Sequence, residues 1–333
     1  MPLTITRAPL RISFIGGGTD YPAFFQGSQE PGYVIGGSID QFVYVSALDQ
    51  PPFEAVRYRF TYRKTDAVQR IVDISHPVVR TVLTQRKWTR PLNLATMASL
   101  PGRSGLGSSS AFTVALIRLM DELQGVKQTP LEIAHEAIKV ERKLLIEAGG
   151  YQDQLHSSIG GLRLYKFTKN GISYSEPLVN AQDLGEISKS LVLVATGSTR
   201  DSSQFAIQTT ENLSQTQTFE LSESLSKLTF EAYERIRVAR NFMEVIEHLG
   251  HAMNQGWTLK KIISGHRPSG VDQIIERGIQ QGAISGKLCG AGGSGFALFL
   301  VPPERLASFK ASFNENDLIL PSLIESGVEI AKF

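Results

Sequence analysis

The 333-residue chain predicts an α+β protein of two domains. Three observations carry that prediction. Strand-like patterns dominate the chain up to Tyr62, helix-like patterns dominate its last third, and both kinds mix throughout. A polar stretch, Asn180 to Lys189, offers the best boundary, dividing the chain into residues 1–185 and 186–333.

The elements follow in order. Arg11 to Ile15 is a short apolar strand ending at Gly16-Gly17-Gly18, and Val34 to Leu48 mixes β-branched and aromatic residues. Val56, Tyr58, Phe60 and Tyr62 alternate with Arg57, Arg59 and Arg63, the period of a half-buried strand. Val78 to Arg86 reads as a short helix and Leu92 to Ala95 as a strand. The segment LPGRSGLGSSSAFTVALIRLMDEL then runs from a Gly/Ser-rich loop into a helix. Phe112, Ala115, Leu116, Leu119, Met120 and Leu123 form its apolar stripe, and Gly125 stops it. Thr129-Pro130-Leu131-Glu132 combines a capping box with Pro at the first helical position, predicting a helix to Ala148 that stops at Gly149-Gly150. Ile159 to Phe167 and Ile172 to Ser175 suggest a hairpin turning at Asn170-Gly171. Leu191 to Ala195 is a buried strand, Phe219 to Leu249 mostly helical, and Trp257 to Ile263 another short helix. A weaker capping box opens a helix from Ser269 to Gln281, after which Gly290 to Gly295 feeds the strand Phe296 to Val301.

Composition narrows the function. Hydrophobics at 41% and charged residues at 20% describe a folded chain. The net charge is +2 with scattered basic residues, which argues against nucleic acid as partner. Cys289 is the one cysteine, so no intrachain disulfide or cysteine metal cluster forms. No apolar run reaches membrane-spanning length and no leader pattern opens the chain, so no membrane partner and a cytoplasmic location are expected. His248 and His251 could share a helix face, but a solvated pair explains them better than a metal site.

Four segments carry candidate chemistry. The loop from Pro101 to Ser110 could hold phosphate, because glycines admit close approach and a helix start offers unpaired N–H groups at its positive end. An ordinary junction capped by serine is the alternative. It is not a Walker loop, since no Lys follows the last Gly. In APLRISFIGGGTDYP, Arg11 heads a strand and Asp20 follows dense glycines; these make either a tight turn or a place for substrate hydroxyls. Glu141 falls on the buried stripe of its helix and needs a partner, either an Arg or Lys or a divalent metal. Asp153, in GGYQDQLHSSIGG, reads as a turn or cap residue or as an active carboxylate. The late loop KLCGAGGSG matches G-x-G-x-x-G by chance: a helix is expected before it and a strand follows, the reverse of a dinucleotide fingerprint. Its glycines would let it lie against the phosphate loop or substrate, with Cys289 as a packing residue.

Together, APLRISFIGGGTDYP, PGRSGLGSSSAF and KLCGAGGSG resemble, in order and across nearly the whole chain, the three motifs of the GHMP small-molecule kinases. The finer pattern, with GGGTDYP, SGLGSSSAFTV, GGYQDQ and LKK before GKLCGAGGSG, is most similar to the group acting on D-glycero-D-manno-heptose 7-phosphate. Arg103 departs from that pattern, standing where a small residue is expected. The resemblance implies a two-domain GHMP fold, an N-terminal domain like one of a small-subunit ribosomal protein and a C-terminal α+β domain, with ATP and sugar phosphate between them. It implies Asp153 as catalytic base with Arg11 facing it. Pro101, Ser104, Gly105, Leu106, Gly107, Ser108, Ser109 and Ser110 would hold the nucleotide. Glu141 with Ser108 or Ser109 would hold Mg²⁺. Gly17, Gly18, Thr19, Asp20, Gly150, Gly292 and Gly293 would meet the sugar. A sugar already phosphorylated at its far end would need a basic clamp, for which Arg200 and Lys260 or Lys261 are candidates, each with a plain surface charge as its alternative. Another sugar such as fucose or galactose, or a binder without turnover, remains the alternative, and a homodimer is an option the sequence does not fix.

Overall fold

The computed structural model describes residues 2–51, 53–102, 104–197, 202–265, 270–290 and 295–331. In chain order the strands are β1 (Thr4–Ile15), β2 (Gly32–Asp49), β3 (Tyr58–Thr61), β4 (Thr65–Val68), β5 (Leu92–Ala98), β6 (Leu162–Thr168), β7 (Gly171–Tyr174), β8 (Leu191–Ala195), β9 (Ser285–Leu288), β10 (Phe296–Leu300), β11 (Leu318–Ile319) and β12 (Glu329–Ile330). The helices are α1 (Pro22–Phe25), α2 (Pro77–Gln85), α3 (Ser108–Gln124), α4 (Pro130–Ile138), α5 (Gln152–Ile159), α6 (Ala181–Ser188), α7 (Ser202–Asn212), α8 (Thr216–Arg237), α9 (Phe242–Ile263), α10 (Gly270–Gln280) and α11 (Leu306–Ala311).

An eight-stranded sheet has the order β12-β1-β2-β5-β3-β4, with β6 pairing β2 and β7. The long β2 serves two partners: Gly32 to Gly37 pairs β6 and Val43 to Asp49 pairs β5. A second, four-stranded sheet runs β11-β8-β10-β9. β1 is buried from Ala8 to its end, with α3 packed on it, and α9 touches both β1 and β9. One apolar core therefore spans the sheets, including Leu10 and Ile12 of β1 with Leu193 and Leu298 of the second sheet. The chain end returns to the first sheet, where β12 pairs β1.

Most predicted elements form, with five corrections. The helix opened by the Thr129 capping box is α-helical only to Ile138; Lys139 to Leu144 form a π-helical turn, in which the Leu145 N–H donates to the Val140 carbonyl (3.0 Å). Ile159, expected at the start of a strand, instead ends α5, a helix that takes in Asp153. The polar boundary stretch contains α6, whose Leu184 and Ile187 are buried and whose first turn is capped by Asn180. Trp257 to Ile263 continue α9 instead of forming a helix of their own. A strand, β9, and not a helix precedes the late glycine loop; the dinucleotide reading still fails, because that loop joins two antiparallel strands. The predicted cap Ser269 lies outside the described residues.

Candidate active site

The cleft is assembled where β1, the start of α3, the π turn and α5 meet. Gly105 and Gly107 take left-handed backbone angles (φ 75° and 78°), which glycine adopts without a side-chain penalty. Gly107 is the residue before α3, and no side chain caps that helix end. The serine-capped junction is therefore not what forms. The first-turn residues Ser108 to Ser110 instead line the cleft at the positive pole of the helix, a place that favours an anion. The late loop lies close by, as its glycines suggested. A Cβ on Gly290 would stand 2.8 Å from Gly105 Cα, and Gly295 backs onto the Ser104 carbonyl. Cys289 is buried, and burial pushes its thiol pKa up, so it packs.

Arg11 joins this loop to α5. Its backbone N–H donates to the Leu106 carbonyl (3.0 Å) and its Nη1 to the Gly105 carbonyl (2.6 Å). Its Nε and Nη2 reach Asp153 Oδ1 at 2.8 and 2.7 Å. Asp153, in the first turn of α5, keeps a quarter of its side chain exposed, whereas Arg11 is buried. A Cβ on Gly107 would lie 3.3 Å from Arg11 Cγ and 3.5 Å from the Asp153 carboxyl. The carboxylate thus sits directly beside the bare helix end.

Glu141 is 1% exposed, as its place on the stripe required. Its carboxylate accepts hydrogen bonds from Ser110 Oγ (2.8 Å), Thr113 Oγ1 and Gln154 Nε2. Arg142 Nη1 approaches Oε2 at 3.4 Å, while the rest of that guanidinium donates to the Gly150 carbonyl. Ser110, not Ser108 or Ser109, is thus the serine bonded to this acid. Among the described residues no three His, Cys, Asp or Glu side chains gather as a metal site. The donors present fit magnesium nonetheless. They are a buried carboxylate and hydroxyl oxygens beside an anion site, and Mg²⁺ commonly takes one or two carboxylates and completes its shell with water and phosphate oxygens.

Asp20 is fully buried. It accepts from the N–H of Gly18 (2.9 Å), the N–H of Gln152 (3.1 Å) and Gln152 Nε2 (3.1 Å), pinning α5 to the triglycine turn. Any Cβ on Gly150 would overlap its carboxylate. Thr19 is also buried, its hydroxyl donating within the turn and accepting from the Tyr33 N–H. Thr19 is therefore a turn residue and not part of the cleft wall. Gly17 faces Lys260, whose Nζ would lie 3.1 Å from a Cβ there, and Gly18 opens to free space.

The cleft has a volume of about 550 Å³ and is lined by Arg11, Asp20, Glu141, Asp153, Lys260 and the Gly105–Ser110 loop among others. Lys261 is not in its wall; its Nζ points toward Asp272 at 4.0 Å. Pro101 is exposed and Leu106 is a core side chain, so their contribution is backbone shape. Arg103, Arg200, Gly292 and Gly293 lie outside the described residues. The sequence reading missed Arg142, Gln152, Gln154 and Lys287, all at or behind the cleft wall. Lys287 left a signal, the one charge in a short buried strand of sequence SGKL. Burial lowers the pKa of Lys260, and burial with Lys260 nearby lowers that of Lys287 to about 7.

Fold and site together define a small-molecule phosphotransferase. The family model for the GHMP kinases N terminal domain matches residues 74–161, and that for the GHMP kinases C terminal matches residues 230–316. The chain belongs to the GHMP kinase family. It is 26% identical over 317 residues to D-glycero-alpha-D-manno-heptose 7-phosphate kinase of Campylobacter jejuni, covering 90% of each chain. It is 26% identical over 323 residues to the bifunctional fucokinase/GDP-fucose pyrophosphorylase of Arabidopsis thaliana, covering 89% of this chain and 30% of that one. A solved D-glycero-D-manno-heptose 1-phosphate kinase from Bacteroides thetaiotaomicron shares the fold, with a TM-score of 0.74, 19% identity and 99% of each chain covered. No described helix is long and apolar enough to cross a membrane.

Proposed function

We propose that this kinase transfers the terminal phosphoryl group of ATP to the anomeric hydroxyl of D-glycero-D-manno-heptose 7-phosphate, giving the 1,7-bisphosphate. One observation carries the reading: Arg11 and Asp153 form an ion pair directly against the uncapped start of α3. Phosphoryl transfer needs positioning and charge neutralisation more than covalent chemistry from the protein. In this reading Gly105 to Ser110 cradle the nucleotide phosphates with backbone N–H groups. The open oxygen of Asp153 accepts the proton of the attacking hydroxyl. Arg11 holds that carboxylate in place and offsets charge on the migrating group. Glu141, with the serine hydroxyls at the start of α3, would hold Mg²⁺, which when bound neutralises phosphate charge.

Lys260 supports a substrate that already carries a phosphate. It brings a cation into the cleft beside Gly17, at the end bounded by Asp20. The similarity to a heptose 7-phosphate kinase over 90% of both chains points the same way. The test is an ATP-consumption assay across phosphorylated and unphosphorylated sugars, with the product read by phosphorus NMR. Turnover confined to the heptose phosphate, with a new phosphate at the anomeric carbon, is the expected result. Preference for free fucose or galactose would replace the substrate, and ATP binding without ADP release would leave a binder.

A further inference from the structure

Lys287 is a buried basic residue that the phosphoryl-transfer scheme leaves unused. It is 4% exposed, lies on β9, and lines the same cleft as Arg11 and Lys260. Its Nζ donates to the carbonyl oxygens of Ser13 (2.7 Å) and Phe14 (3.1 Å), just ahead of the triglycine turn. It thereby ties β1, from the first sheet, to β9 of the second. The groups that face it electrostatically are Lys260 from α9, Arg11 from β1 and the Cys289 thiol beyond the end of its own strand. The cleft carboxylates Asp20 and Asp153 act on Lys260 and Arg11 instead.

Proton counting gives this arrangement its meaning. A neutral amine has two N–H bonds, and two carbonyls are there to accept them. The third N–H of an ammonium has no acceptor in that pair and is left for the cleft. Burial and two neighbouring cations disfavour the charged form, consistent with a pKa lowered to about 7. An anion placed beside Lys260 and Arg11 reverses that balance.

We propose that Lys287 is a positioning residue whose charge follows the occupant of the cleft: mostly neutral at pH 8 while no anion is bound, protonated when a phosphate-bearing ligand arrives. The inference rests on the phosphoryl-transfer reading of the cleft. The proton comes from the buffer, at most one per ligand. The neutral form holds the end of β1 against β9; the protonated form keeps that tie and adds one donor and one positive charge toward the phosphate.

Calorimetric titration of the full chain with magnesium AMP-PNP at pH 8, in buffers of different ionisation enthalpy, measures that proton directly. Wild type should take up about 0.5 to 0.9 proton more than Lys287→Met, given a free-protein pKa of about 7. Lys287→Arg keeps the tie and a permanent charge, so it should bind AMP-PNP without the extra uptake and retain more turnover than Lys287→Met. Its kcat/KM should stay level above pH 7, where that of wild type declines. Should Lys287→Met not fold, Lys287→Arg carries the comparison alone. Equal proton uptake in wild type and either variant overturns the inference and leaves the kinase reading standing. No binding of AMP-PNP by folded wild type overturns both.

Discussion

Asp20 and Lys260 line the same cleft, and the proposed reading gives the first a structural duty and the second a binding one. Asp20 already accepts three hydrogen bonds from its own chain, so its first task is to hold α5 to the triglycine turn. Gly150→Ala should therefore disturb that junction. A methyl group there overlaps the carboxylate, and the variant is expected to lose about 1–3 kcal/mol of stability in a denaturant titration. Lys260→Met should raise KM for a phosphorylated sugar by roughly 10- to 100-fold, the worth of a charged hydrogen bond. Lys261→Met should leave it near wild type, because that ammonium turns toward Asp272. Steady-state kinetics on the pair separates the two lysines. Arg11 and Glu141 stood out in the sequence as charges in apolar surroundings, whereas Asp153, in the polar segment GGYQDQLHSS, stood out only through the resemblance of its motif. Gln152 and Gln154 did not stand out, since a neutral amide gives no such contrast until the structure shows what it touches.

The π turn after α4 carries Glu141, the proposed magnesium ligand, in the cleft wall. Glu141 and Arg142 are consecutive in this turn, and both line the cleft wall. Removing the carboxylate in Glu141→Ala should raise the magnesium concentration needed for half-maximal rate, read from a metal titration; an unchanged requirement would leave Glu141 a structural acid paired with Arg142. Nearby, Arg86 of the loop after α2 bridges Asp121 of α3 (2.7 Å) and Glu136 of α4 (2.8 Å) with little exposure. Arg86→Met leaves Asp121 buried without its cation, at an expected cost of about 3–5 kcal/mol in chemical unfolding. Apolar periodicity revealed α3 and the start of α4, where the stripe is continuous. It failed at α5, whose buried side chains include Gln154, His156, Ser157 and Ser158. A helix that buries polar groups against a reactive cleft lacks the contrast on which that pattern depends. The same stripe concealed the π turn, because Glu141 falls on it in either geometry.

Across the whole molecule, the two sheets share one core, and buried bases set how stability responds to pH. Lys287 titrates near 7 in the folded chain against an ordinary 10.5, so between these values the unfolded chain binds more protons. Stability of the ligand-free protein should therefore rise with pH from 7 toward 9, by at most about 1.4 kcal/mol per unit from this group. Lys260 and His156, both lowered, act in the same sense, His156 below 6.5. Cys289, raised from 9.0, opposes them above that value. Thermal unfolding across pH 7 to 9 should show Tm climbing in wild type and flatter in Lys287→Met. The α+β class was readable from alternating and helical patterns. The return of β12 to β1 was not, because a two-residue strand near the chain end carries no pattern of its own. The convergence of Arg11, Asp153 and the α3 start is tested most directly by the turnover of Asp153→Ala, with AMP-PNP binding measured on the same sample. Retained binding with kcat lowered roughly 10²- to 10⁴-fold is the predicted result; wild-type turnover in that variant would contradict it.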